Sequence, residues 1–330
     1  MATAKQLPVK APRFCTYNWM GSAGIVVNTN PTGDNWYLSR AMQFELNRSF
    51  LHGHTTPNFS MSEADIWSMP FIQKVTLPSA MADQCEKQLI RGFIDQNYYV
   101  VVEKIDDYFV EGKTFYHQRH FIHDAFITGY DDEKNTYTLA GYDSRWIYTT
   151  FETPQRGVVR GIRSAIAQES PSRIIGVRCA QEPIALDLHE MRRRIADHLH
   201  YNLYETTEKI YGLLVYDYLS TYLDFLRNDS IPHARMDWRM FRLVYEQKKC
   251  MLDRLLAVEK TFYPPDTLSS AYLPSVEAAN AAQFLYAKYC MKRDDSLLTA
   301  IQKKLLQIRS NDMVILPRFL RVLEQHEGEV

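Results

Sequence analysis

The stretch HDAFITGYDDEKNTYTLAGYDS, residues 123–144, sets a histidine before one short apolar run and an aspartate after the next. If the turn is the symmetric loop 131–135, Tyr130 faces Thr136 and His123 falls opposite Asp143. Opposed residues of an antiparallel pair have Cβ atoms about 4.5–5.5 Å apart, so an imidazole and a carboxylate there can share a hydrogen bond. A carboxylate on one ring nitrogen selects the tautomer and leaves the other nitrogen as a general base. The strand period puts His123, Ala125, Ile127 and Gly129 on one face with Tyr137, Leu139, Gly141 and Asp143, and it turns Asp124 to the more polar face. A one-residue slip would part the pair. A His–Asp pair that merely closes a hairpin is the other reading of these residues.

A base of this kind needs a nucleophile. Cys15, in PRFCTYNWMGSAG, precedes a run of small and apolar residues. A thiol at the start of a helix and facing an imidazole is the arrangement that yields a thiolate. The alternative for Cys15 is a small buried hydrophobe, and Gly21 and Gly24 count against a helix after it. Ser22 lacks the GxSxG elbow, Cys85 sits among charged residues in a helical pattern, and Cys179 ends a strand where burial is expected. YHQRHFIH holds His117, His120 and His123, but residues from 121 onward read as strand, so the three do not converge on one ion. No metal or other cofactor is expected, and His120 stays the alternative base.

The elements that must position these residues are of two kinds. Residues 98–103, 125–130, 136–142, 146–151 and 173–178 have strand length and composition and read as one sheet, with a helical pattern at 80–96. From Leu188 onward nearly every segment has the helical period: 206–228, with Thr206 or Thr207 as N-cap, then 236–262, 275–292, 294–309 and 314–326. The layout is α+β, with domains at 1–182 and 183–330 and a boundary near Gln181 to Pro183.

Composition narrows the classes further. The 330 residues are 46% hydrophobic, more than one compact core usually absorbs. With 38 basic and 39 acidic residues the net charge is −1, which offers no overall field for nucleic acid or an anionic membrane. No apolar run of about 18 residues and no apolar leader occurs, so a cytoplasmic protein is expected. Cys15, Cys85, Cys179, Cys250 and Cys290 are scattered without CxxC spacing, which indicates neither a disulfide framework nor a zinc site. HEMRRR, 189–194, reads as a solvated helix face or as a dock for an acidic helix.

The order Cys15, VVVEKIDDYF, YHQRHFIH and HDAFITGYDDEKNTYTLAGYDS resembles the papain-like domain of the butirosin biosynthesis protein H family. NWYLSRAMQFEL (35–46), IYGLLVYDYLSTYL (210–223) and FRLVYEQKKCML (241–252) extend the resemblance over most of the chain. The resemblance implies a papain-like N-terminal domain with a C-terminal all-helical domain, acting in natural-product biosynthesis. It implies acyl transfer from an acyl or peptidyl carrier protein bearing a phosphopantetheine thioester to a small-molecule amine acceptor. Carried onto this chain, Cys15 holds the acyl group, His123 is the base, Asp143 orients it, and the Cys15 backbone N–H is the first candidate oxyanion donor. The alternatives are a papain-like hydrolase, acting as peptidase, amidase or thioesterase, and a non-catalytic binding or scaffold protein with the same fold.

Overall fold

The computed structural model describes residues 3–326 apart from 53–58, 62–68, 83–84, 169–171, 201–207, 233–235 and 263–267. The chain divides into two compact units, Met1–Gly33 with Asp65–Pro183, and Asp34–Ala64 with Ile184–Val330. Residues 34–64, which the sequence reading left in the first domain, therefore belong to the helical unit. The elements below are numbered along the whole chain.

In the first unit the strands are β1 (Ala4–Gln6), β4 (Ile72–Pro78), β5 (Tyr99–Asp106), β6 (Ile122–Asp131), β7 (Thr136–Tyr142), β8 (Tyr148–Pro154) and β9 (Arg173–Cys179). Among the described residues they form one antiparallel sheet in the order β4-β9-β5-β6-β7-β8, with β1 alongside β6. Val100, Val102, Ile127, Ile174, Ile175 and Val177 are buried, as β-branched runs covered by helices must be. The helices are α1 (Asn18–Val27), α3 (Glu86–Asp95) and α4 (Gln155–Ala167). α1 packs against β7, β9 and β6, while α4 packs mainly against β5.

The glycines that argued against a helix after Cys15 are what let α1 approach its neighbours. A Cβ on Gly24 would lie 2.5 Å from Cβ of Pro12, and one on Gly21 would lie 2.2 Å from the Tyr148 ring. Close packing outweighs their unfavourable helix propensity of about 1 kcal/mol each.

The β6–β7 register departs from the symmetric hairpin by one residue near the turn, where Asp131 rather than Tyr130 faces Thr136. A bulge at Thr128 restores the expected pairing beyond it, so Ile127 faces Leu139 and Phe126 faces Ala140. β7 then ends at Tyr142, one residue short of Asp143.

In the second unit, β2 (Phe44–Asn47) lies between β3 (Phe59–Met61) and β10 (Lys209–Tyr211), antiparallel to both. The helices are α2 (Asp34–Arg40), α5 (Leu188–Leu199), α6 (Leu214–Arg227), α7 (Met240–Phe262), α8 (Leu268–Lys292) and α9 (Asp295–Gln325). Residues 34–64 join this unit because α7 grips the end of α2. Arg254, fully buried, donates to the backbone oxygens of Leu38, Tyr37 (3.0 Å) and Ala41 (3.1 Å), at the C-terminal end of α2 and just past it.

Two helical expectations change. Lys209–Tyr211 pairs with β2 as a strand, so the helix expected over 206–228 begins at Leu214; its proposed caps, Thr206 and Thr207, lie outside the described residues. The helices expected at 294–309 and 314–326 are the single helix α9. The polar RSNDM run that reads as a break is held inside it, since Asp312 is fully buried and Asn311 donates to Ser275 Oγ at 2.8 Å.

Candidate active site

The start of β6 and the end of β7 lie side by side, and the first turn of α1 packs over them. His123 and Asp124 open β6. His123 Nδ1 is 2.7 Å from Asp124 Oδ1, and Asn18 Nδ2 donates to Asp124 Oδ2 at 2.6 Å. This makes a chain Asn18–Asp124–His123 in which Asp124 is held from both sides. With Nδ1 turned to a carboxylate, Nε2 is the nitrogen available as a base.

Asn18 is fixed by the helix it starts. Ser22 Oγ donates to its carbonyl at 3.0 Å, and the absent side chain of Gly141 leaves room for its Oδ1, which a Cβ there would approach to 2.6 Å. Cys15 lies three residues before Asn18 and is half-buried. The Tyr142 hydroxyl, at the end of β7, donates to the carbonyl oxygens of Cys15 (2.8 Å) and Thr16 (3.1 Å). The buried Tyr148 phenol lies within electrostatic reach of both Cys15 and Asp124: burial pushes its pKa up, with the Ser22 hydroxyl opposing. Cys15, Asn18, His123, Asp124, Tyr142 and Tyr148 thus occupy one end of the sheet.

Two more charges border the pair. Lys113, buried, donates to the Asp124 carbonyl at 3.3 Å and stands 3.9 Å from Asp107 Oδ1. Burial opposes the charged form of His123, but the hydrogen bond and charge of Asp124 outweigh it, and the imidazole is held above its ordinary pKa. Burial likewise opposes charge on Asp124, yet His123, Lys113 and Asn18 together hold its carboxyl below the usual range.

The structure corrects the role expected of Asp143. Its Oδ1 accepts from the backbone N–H of Arg145 (2.9 Å) and Ile147 (3.0 Å), and its Oδ2 from the Arg145 guanidinium (2.8 Å). The carboxylate on His123 is that of Asp124. The physical reason is where β7 ends. Past Tyr142 the backbone turns, and an aspartate at the start of a turn satisfies the amides two and four residues on more readily than it reaches across the sheet. Asp143 shapes the loop that delivers Tyr148 to α1. Strict alternation pointed Asp124 away from His123, and the register shift between β5 and β6 next to it carries no sequence signal. Asn18 and Lys113 were likewise not singled out by type or spacing.

His120 has its own carboxylate. Its Nδ1 is 2.6 Å from Oδ2 of the fully buried Asp106, which also accepts from Ser164 Oγ (2.7 Å) and from the amides of Phe121 (3.1 Å) and Tyr108 (3.2 Å). The His120 ring stacks on Tyr108 at 4.4 Å. This second dyad ties the 107–121 segment to α4, and among the described residues no group of His, Cys, Asp or Glu could hold a metal ion. Of the other thiols, burial pushes Cys179 and Cys290 up to about 11, Cys250 is buried, and Cys85 is exposed. In HEMRRR, Arg193 and Arg194 both bind Glu190 at 2.8 Å and Arg193 also pairs with Asp197 at 3.0 Å, so carboxylates of α5 offset part of that run's charge.

No protein-family model matches this chain, and no curated protein matches it significantly.

Proposed function

We propose that the first unit is a papain-like, cysteine-dependent acyltransferase whose working groups are Cys15, His123 and Asp124. One observation carries this reading: the hydrogen-bonded chain Asn18–Asp124–His123 stands at the sheet end where Cys15 leads into α1. Nε2 of His123 takes the Cys15 proton, and the thiolate attacks the carbonyl carbon of a thioester donor. The tetrahedral intermediate collapses, the donor sulfur leaves with the proton from the imidazolium, and the acyl group stays on Cys15. An amine then attacks the Cys15 thioester, His123 accepts its proton, and the cysteine sulfur leaves. Asp124 holds the Nδ1–H tautomer and stabilises the imidazolium. The donor is proposed to be a carrier-protein phosphopantetheine thioester and the acceptor a small amine, with natural-product biosynthesis as the setting.

The test is selective labelling followed by acyl capture. Cys15 is expected to react with a low dose of iodoacetamide near neutral pH before Cys85, although Cys85 is the exposed thiol. Intact mass after incubation with an acyl thioester should show one adduct, lost with hydroxylamine and absent in Cys15→Ala. Labelling of Cys85 first, with no adduct, would sink the proposal. Adduct turnover equally fast without an amine would assign the same residues to hydrolysis.

A further inference from the structure

Lys113 is buried in the segment that links β5 to β6, and it ends against the backbone of the residue that orients His123. Its Nζ lies 3.3 Å from the Asp124 carbonyl oxygen and 3.9 Å from Asp107 Oδ1. Asp107 is itself buried, with an Oδ1 that accepts no hydrogen bond. A buried ammonium this close to a buried carboxylate costs desolvation on both sides, and such a pair is often no more stabilising than apolar residues in its place. What the pair does have is position. The charged groups acting on His123 are Asp124 on its own strand, Asp107 after β5 and Lys113 from the following turn, while neutral Asn18 from α1 bonds Asp124.

We propose that Lys113 is a positioning residue: its ammonium fixes the Asp124 peptide, and with Asp107 as counter-ion it keeps a positive charge beside the His123 imidazole. The inference rests on reading His123 as the general base. By holding the Asp124 carbonyl, Lys113 limits rotation of that residue and keeps its carboxylate on Nδ1. Its charge disfavours the imidazolium while that of Asp107 favours it, so the two set the proton affinity of the base in opposite directions. Burial pushes the Asp107 carboxyl up, while the charge of Lys113 pulls it back down.

The experiment is a pH titration of histidine ring nitrogens by long-range proton–nitrogen NMR on the full chain, with His123→Gln used to assign the signal. In the native chain neutral His123 should carry its proton on Nδ1. Lys113→Met is expected to raise the Nε2–H tautomer of neutral His123 and, by taking the Asp124 carboxylate off Nδ1, to move the titration midpoint downward, with Cys15 alkylation slowed roughly tenfold. Asp107→Asn is expected to move the midpoint downward, and it serves alone if Lys113→Met does not fold. Folded Lys113→Met with the native tautomer and an unlowered midpoint, or folded Asp107→Asn with an unmoved midpoint, would overturn the proposal. If the shifts occur but Cys15 is unreactive in the native chain, the acyltransferase reading fails while the positioning role stands.

Discussion

Asp124 Oδ1 lies 2.7 Å from Nδ1 of His123, its neighbour in the same strand, while Asp143, across the hairpin, closes its own turn on Arg145 and Ile147. Orientation of the imidazole and shaping of the loop are therefore separate tasks of two aspartates. They can be separated by mutation.

Asp124→Asn should remove the orienting carboxylate with little effect on folding, lowering acyl transfer to the amine by roughly 10²- to 10⁴-fold. Asp143→Asn should instead cost about 1–3 kcal/mol of stability, because several amide and guanidinium bonds are weakened at a buried site. Denaturant melts and transfer rates on the two variants give opposite patterns, and equal loss of rate in both would return Asp143 to the catalytic role.

Asp143 also sets a pH dependence. Burial opposes its charge, but the bonds from Ile147 and Arg145 outweigh it, and its carboxyl is held below the ordinary range. A depressed carboxylate stabilises the fold above its unfolded pKa, and that stabilisation is lost as pH falls through the folded value. Below pH about 4 the native chain should lose this increment and Asp143→Asn should not, which parallel acid melts of the two would reveal.

Gly21→Ala should push the Tyr148 ring off α1, since the new Cβ would lie 2.2 Å from it. The expected cost is about 1–3 kcal/mol of overpacking. Tyr148→Ala should relieve it, so a double-mutant cycle by denaturant unfolding should show coupling between the two positions; simple additivity would mean that α1 shifts freely.

The helical unit has its own charged centre. Asp312 on α9 accepts from Lys248 on α7 at 2.6 Å, Tyr272 on α8 at 2.7 Å and Tyr216 on α6 at 3.1 Å, all fully or nearly fully buried. Asp312→Ala would leave the Lys248 ammonium buried without a counter-ion and should cost about 3–5 kcal/mol. Replacing both ends, with Asp312→Leu and Lys248→Met, should cost less than the single change. Thermal melts of the three chains test the order.

Acid should find this centre in two stages. Burial keeps His198 neutral with a lowered pKa, so the unfolded chain takes up its proton first, and stability declines below the ordinary histidine range near pH 6.5. Burial opposes the charge on Asp312, but Lys248 and His198 hold its carboxyl down to about 2. Its stabilisation is present above pH about 4 and is lost as pH falls toward 2. Replacing His198 with Gln should remove the first decline and leave the second, as read from unfolding free energy against pH.

Local pattern determined much of this molecule. β7 covers Thr136–Tyr142 as read from its alternation, and β5, β6, β8 and β9 depart from expectation only at their ends, because β-branched runs between turn residues carry a strong local preference. α7 and α8 follow from their apolar period for the same reason. The sheet-then-helices layout needed no tertiary information. What only the tertiary structure decided involves partners distant in sequence. Arg254 draws residues 34–64 into the helical unit, Asp312 holds one helix through a polar run, and β2 turns Lys209–Tyr211 into a strand. The carboxylate on His123 belongs to this second class. A register shift against β5 beside Asp124, a strand end at Tyr142 and an amide from Asn18, more than a hundred residues away, select Asp124 over Asp143. None of the three is encoded in the spacing of histidine and aspartate, because a side chain's partner is set by where the backbone turns and what packs over it.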